Sequence, residues 1–274
     1  MLQGIRNRIG RLIIGNAKNI PSNNSDRSRL PVPMLVTSLP RSGSGFIRKA
    51  ICNHFNVRTS TNIDYGAVYD SRIDSRYFFD EILSGKRYGK THFAPFEYNL
   101  NLLDAYGMRK IVVHVRDPRD AAVSWFYQIR RREILEDEAT VSSLLASDCV
   151  PEEISSMDDW EIKQWIVDVY FDKLIGWISS WQSVMEDDAR FRILMTNFSK
   201  MKHDPSGFFS EIFHFYGFEQ AFNRDALPAL EKNSFKNNFR EGREKEYVDF
   251  FTTEQINELN HKMALELRKS FDNE

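Results

Sequence analysis

Apolar positions along this chain fall into two periods. Met34-Leu35-Val36 is a short continuous apolar run that breaks at Pro40 into the small-residue turn Arg41-Ser42-Gly43-Ser44-Gly45. Apolar residues return at Phe46, Ile47, Ala50 and Ile51, the spacing of a helix face. A strand, a turn and a helix from about Ser44 to His54 are therefore expected. Ile111 to Val115 is a second β-rich run, as in a strand buried inside a parallel sheet. Asp117 follows as an N-cap, with Pro118 at the first helical position and Asp120 in the first turn. Tyr88 to Phe93 and Phe191 to Met195 read as further strands, and Asp204-Pro205 opens a helix to about Tyr216. A helix from about Asp159 to Glu186 carries Trp160, Trp165, Val169, Leu174, Trp177 and Trp181 as an expected core stripe. Thr252 to Leu267 is an amphipathic helix introduced by the cap region Thr252-Thr253-Glu254. Strands alternating with helices predict an α/β domain with a central parallel sheet flanked by helices.

The remaining stretches set the organisation. Residues 1–20 place Ile5, Ile9, Leu12, Ile13 and Ile20 among Arg6, Arg8, Arg11 and Lys18. Two readings fit: a basic amphipathic helix making peripheral contact with a membrane surface or a partner, or a terminal segment packed on the body or frayed. The polar, Pro-flanked stretch 21–33 reads as a linker, so residues 1–30 form an N-terminal segment and 31–274 one domain. Tyr65, Tyr69, Tyr77, Phe78 and Phe79 stud the polar stretch 56–87, either as a pocket lining or as core. The acidic stretch 133–160 is a solvated face or a lid.

Composition narrows the classes. At 274 residues, with 42% hydrophobic and 28% charged residues, the chain suits one sizeable soluble domain. A net charge of −2 argues against bulk binding to nucleic acid. Two cysteines make no disulfide framework, and with no secretory signal or membrane-span pattern a reducing, cytoplasmic setting is expected. No Cys/His cluster suggests a metal.

Three places carry candidate chemistry. A strand, a Gly/Ser turn and a helix start aim backbone N–H groups and a positive helix end at one point, which suits a phosphate. Arg41 adds a fixed charge to this phosphate-loop-like turn, although the Walker loop's lysine and spacing are missing. Arg116 ends a strand and Ser124 lies about two turns into the next helix, forming a second anion clamp where open α/β sheets bind ligands. Lys90 and His92, two residues apart in an extended segment, point to one side.

Together these segments resemble the PAPS-dependent sulfotransferases, which use 3′-phosphoadenosine 5′-phosphosulfate and release its product PAP. Leu39-Pro40-Arg41-Ser42-Gly43-Ser44 resembles the family's 5′-phosphosulfate loop. Val115-Arg116-Asp117-Pro118-Arg119-Asp120 through Ser124 to Tyr127 resembles its 3′-phosphate motif, including the Arg-to-Ser spacing of eight. Lys90-Thr91-His92 is similar to the base-bearing strand of the cytosolic, small-molecule branch. Weaker similarities run through Asn197 to Pro205, Asn233-Ser234-Phe235 and Phe239-Arg240-Glu241-Gly242.

The resemblance implies His92 as base, Lys90 steadying the sulfonate, and Arg41 with Ser42, Gly43, Ser44 and Gly45 holding the 5′-phosphosulfate. It further implies Arg116 and Ser124 on the 3′-phosphate, helped by Arg240 and Gly242, with Phe46 and Phe235 sandwiching adenine. The implied acceptor is a hydroxyl-bearing small molecule, lipid or sugar. Departures are visible: Arg41 stands where that branch has Lys, Gly45 replaces a hydroxyl residue, Phe198 replaces Tyr, and Tyr247 replaces a late Trp. Arg243 competes with Arg240 by a small register shift. The alternative function is a PAP- or PAPS-binding regulatory module without turnover.

Overall fold

The computed structural model describes residues 30–59, 64–65, 71–88, 91–135, 150–229 and 242–272. Its centre is a parallel sheet of β1 (Val36–Ser38), β6 (Lys110–Val115) and β7 (Arg192–Asn197), in the order β1-β6-β7. Val36 pairs with Val112 and Ser38 with His114, while Val113 pairs with Met195 and Val115 with Asn197. A parallel bridge from Thr37 to Thr91 extends the sheet beyond β1. Smaller pairings join β2 (Arg58–Thr59) to β5 (Arg87–Tyr88), and β3 (Asp64–Tyr65) to β4 (Arg72–Ile73).

Strand β6 is apolar on both sides because it is covered on both sides. Ile111, Val113 and Val115 face a core built with α3 (Pro118–Leu135) and α5 (Phe171–Asp187). Val112 faces the other core, formed with α1 (Ser44–Phe55) and α7 (Pro205–Tyr216). Alternate strand residues thus feed two separate apolar layers, as the two-residue period of a strand requires. The Tyr216 hydroxyl joins the sheet from the α7 side, accepting from Leu35 N–H at 2.9 Å and donating to Leu35 O at 2.6 Å. The expected α/β architecture, a parallel sheet flanked by helices, is the one observed.

Two helices depart from the expected outline. The segment read as one helix from Asp159 to Glu186 is α4 (Asp159–Trp165), a wide π turn (Ile166–Tyr170) and α5. The extra residue in the π turn shifts the phase of the apolar face. Leu174, Trp177 and Trp181 are buried as expected, whereas Trp160 is 62% exposed and Val169 is exposed. The tail helix read from Thr252 to Leu267 is likewise two pieces, α8 (Thr253–Lys262) and α9 (Leu265–Asp272). Leu259, Met263, Leu267 and Phe271 are all buried. Four-residue steps drift by about 40° each on a continuous helix, so the extended Met263 between the two helices resets the face toward the core.

Of the aromatics in the 56–87 stretch, Phe78 is core and Phe79 is exposed, with Tyr77 packed at the core's margin. The N-terminal segment 1–29 and most of the acidic stretch, 136–149, lie outside the described residues. Among the described residues no helix is long and apolar enough to cross a membrane.

Candidate active site at the carboxyl end of the sheet

The turn after β1 is held from the neighbouring strand. Leu39 N–H donates to His114 O at 2.8 Å, and Ser42 closes the turn on Leu39 O through its N–H (3.2 Å) and its hydroxyl (2.6 Å). Arg41 and Gly43 have left-handed backbones, with φ of 69° and 93°. The left-handed φ of Gly43 is the reason it is glycine, and a Cβ there would in addition displace the flexible end of Met201, whose Cε would lie 2.6 Å away. Helix α1 starts at the next residue, and Phe46 and Ile47 N–H both bond to Gly43 O. The amides of Gly43, Ser44 and Gly45 make no hydrogen bond to other described residues. These three N–H groups at a helix start are left available in the arrangement that an anion would need.

The second clamp sits at the end of β6. Arg116 is 6% exposed; its Nη1 donates to Arg41 O at 3.3 Å and its Nη2 to Arg243 O at 2.5 Å. Its guanidinium lies 4.5 Å from the centre of the Phe198 ring, within cation–π range. Phe198, which stands where the resemblance places a Tyr, is therefore the platform on which Arg116 rests. Arg41 Nε donates to Ser124 Oγ and Nη1 to Gln128 Oε1, each at 3.2 Å. The two clamps, separate in the sequence, meet through this pair.

Beside Arg116 lies a cavity of about 320 Å³, lined among others by Asp120, Asn197, Phe198, Glu244 and Lys245. The segment from Gly242 to Tyr247 straps its rim. Asp120 accepts from Lys245 N–H (2.8 Å) and Tyr247 N–H (3.2 Å), and Glu244 from Lys202 Nζ (2.7 Å) and His203 Nε2 (2.8 Å). Burial pushes the Asp120 carboxyl up to about 6, against the pull of Arg116. Burial also acts on Glu244, but hydrogen bonds from Lys202, Ser199 and His203 outweigh it and hold Glu244 at about 2. Gly242 has a left-handed φ of 62°, and Arg243 turns its carbonyl onto Arg116. Arg240 and Phe235 lie outside the described residues.

His92 stands at the sheet edge next to the turn. Ser38 N–H bonds to Thr91 O at 3.2 Å, and the His92 ring places Nδ1 2.6 Å from Ser38 O. A carbonyl oxygen can only accept, so Nδ1 carries the proton and the neutral ring keeps its lone pair on Nε2. Trp177 Nε1–H fixes the His92 backbone from α5, bonding to its carbonyl at 2.9 Å. Lys90, paired with His92 in the sequence, lies outside the described residues. Phe46 is half-buried, with its ring centre 6.2 Å from that of Phe209 in the α7 core.

Residues that the sequence left unassigned also belong to this region. Gln128 gives Arg41 its second partner, Asp120 pins the strap, and His114 bonds to the turn. For His114 a signal existed: it is the single polar residue within the run Ile111 to Val115, and a buried polar group requires partners.

The model of the sulfotransferase domain family matches residues 31–273. No curated protein matches the chain significantly. Among solved structures, mouse sulfotransferase SULT7A1 complexed with PAP is similar at a TM-score of 0.59 and 17% identity, over 92% of this chain and 90% of that one. Retinol dehydratase in complex with androsterone and inactive cofactor PAP is similar at 0.56 and 16%, over 84% of this chain and 78% of that one. The same enzyme in a complex with retinol and PAP gives 0.52 and 15%, over 86% and 81%. At such identities these likenesses speak for the fold. The family match covers all but the N-terminal segment and the last residue, and by it the protein belongs to the sulfotransferase domain family.

Proposed function

We propose that the chain is a PAPS-dependent sulfotransferase that moves a sulfonyl group to a hydroxyl of a small-molecule, lipid or sugar acceptor, with His92 as the base. The observation that carries this reading is one convergence. The Gly43, Ser44 and Gly45 amides, the Arg41–Ser124 pair and Arg116 lie at one end of the sheet, with His92 bonded to the strand that leads into the turn. The donor set fits a nucleotide carrying two separate anionic groups. The turn amides and Arg41 would hold the 5′-phosphosulfate, and Arg116 with Ser124 the 3′-phosphate. The solved neighbours are complexed with PAP, and two of them with retinol or androsterone, which supports a nucleotide beside a small hydroxyl-bearing acceptor.

The chain's own residues supply the rest. His92 Nε2 accepts the acceptor's proton while Nδ1–H stays on Ser38 O, so the ring is held in the tautomer that a base needs. Arg41 contributes fixed positive charge where the leaving oxygen becomes anionic, and its high pKa makes it a stabiliser rather than a proton donor. PAPS supplies the activated sulfonyl group. Lys90 steadying the sulfonate, Phe46 and Phe235 stacking on adenine, and Arg240 with Gly242 on the 3′-phosphate complete the proposal. Peripheral membrane docking through residues 1–20 and a cytoplasmic setting belong to it as well.

Calorimetric titration with PAP, ATP and AMP tests it. Tight binding that requires the 3′-phosphate and weakens about 100-fold in Arg116→Ala is expected, from the loss of one charge-assisted phosphate contact. Preference for ATP would sink the reading. His92→Ala should keep nucleotide affinity and lose turnover by a factor of about 10² to 10⁴. Unchanged turnover would remove His92 as base, and absence of turnover in the wild type would leave the regulatory module.

A further inference from the structure

The even positions of β6 face the α1/α7 layer, and there an imidazole takes the place of an aliphatic side chain. His114 is fully buried, with Nε2 2.9 Å from Ser42 O and Nδ1 3.0 Å from Thr196 Oγ1. Phe208 meets the ring edge-on at 5.3 Å. Because Ser42 O only accepts, Nε2–H is the donor, and Nδ1 accepts from the Thr196 hydroxyl. Burial lowers the His114 pKa to about 4, partly offset by the bond to Ser42, so the ring is neutral at pH 7 and this tautomer is the one present.

The Ser42 bond fixes a peptide plane. Ser42 C=O and Gly43 N–H belong to one trans peptide and point in opposite directions. A carbonyl turned toward β6 therefore sends the Gly43 amide away from the sheet, to the side where the Ser44 and Gly45 amides begin α1. Gly43, having no Cβ, tolerates its observed φ of 93° as readily as the negative φ of the flipped peptide, so local sterics leave the choice open. The hydrogen bond from His114 makes that choice. The backbone of the same residue also holds the start of the turn, through Leu39 N–H at 2.8 Å.

We propose that His114 is a positioning residue that locks the Ser42–Gly43 peptide with its amide facing the nucleotide's 5′-phosphosulfate, and that Thr196 sets its tautomer. The inference rests on the sulfotransferase reading above. His114 touches no reacting atom, and its effect passes through the peptide.

The test is calorimetric titration of wild type, His114→Leu, His114→Gln and Thr196→Val with PAP and with adenosine 3′-monophosphate, which lacks the 5′-phosphate. His114→Leu should weaken PAP about 10-fold or more, the scale of one hydrogen bond to a charged group, and leave the 3′-monophosphate within about twofold. His114→Gln, whose amide N–H reaches the place of Nε2, should restore PAP to within about threefold of wild type. Thr196→Val, the milder change if the leucine variant does not fold, should weaken PAP selectively by about threefold. Equal losses for both ligands, no loss, or a glutamine variant no better than leucine would overturn the inference. Wild type that fails to bind PAP would instead overturn the sulfotransferase reading.

Discussion

Loss of the Arg119 guanidinium should damage the fold with little change in volume. Arg119 is 1% exposed and binds three partners at once. Nη2 reaches Asp117 Oδ2 and Asp272 Oδ1, each at 2.7 Å, and Nη1 reaches Asn260 Oδ1 at 2.7 Å. The guanidinium also lies 4.2 Å from the centre of the Tyr247 ring. One cation thus ties α8, α9 and the strap to the start of α3. In Arg119→Met the Asp117 side chain, 13% exposed, loses its cation and keeps the Arg119-position N–H at 2.8 Å. Breaking a buried pair from one side costs about 3–5 kcal/mol, and the retained amide bond argues for about 3. Asp272→Asn is a different perturbation: its side chain is 43% exposed and the amide oxygen still accepts from Nη2, so about 0–1 kcal/mol is expected. Thermal unfolding followed by circular dichroism should give a Tm drop of roughly 6–12 °C for Arg119→Met and at most about 4 °C for Asp272→Asn. In about 1 M salt the smaller effect should vanish and the larger persist, since exposed pairs are screened and buried ones little. Equal losses, or an Arg119→Met loss below about 1 kcal/mol, would refute the reasoning.

Two buried groups should make stability respond to pH with opposite signs. The folded state keeps a proton on Asp120 up to about pH 6, whereas the unfolded chain releases it near 3.8, so over that window this group lowers stability as pH rises. The folded state excludes the His114 proton down to about pH 4, whereas the unfolded chain holds it up to 6.5, so this group raises stability with pH. Each displacement is worth roughly 3 kcal/mol, and the two nearly cancel in the wild type. Urea titrations from pH 4 to 6.5 should show stability climbing with pH in Asp120→Asn and falling in His114→Gln; slopes of the same sign in both would contradict this. Gly43→Ala should cost about 2 kcal/mol, because alanine resists the left-handed φ of 93° and its Cβ displaces the Met201 methyl. A loss under about 0.5 kcal/mol in urea unfolding would mean that the turn relaxes to a negative φ.

The sequence by itself determined the framework. The apolar run Met34–Val36 and the β-rich run Ile111–Val115, apolar but for His114, are each followed by a polar turn and three-to-four spacing; they mark buried parallel strands and the helices after them, because burial on both faces leaves little room for alternation. Gly43 and Arg41 were legible as candidates because a strand-to-helix turn exposes amides whatever surrounds it, and Arg116 because it ends a strand. Tertiary structure alone decided which partners these groups have. Arg41 meets Ser124 and Gln128, 83 and 87 residues away, and Arg116 rests on Phe198 and Arg243, contacts that no local spacing encodes. The π turn after Trp165 and the break at Met263 were hidden because each serves packing against distant elements, not local propensity. His114 carried a visible sign, a polar residue in an apolar run, but its meaning needed the neighbouring turn. A buried hydrogen bond is defined by both of its ends, and the second end lies 72 residues away at Ser42.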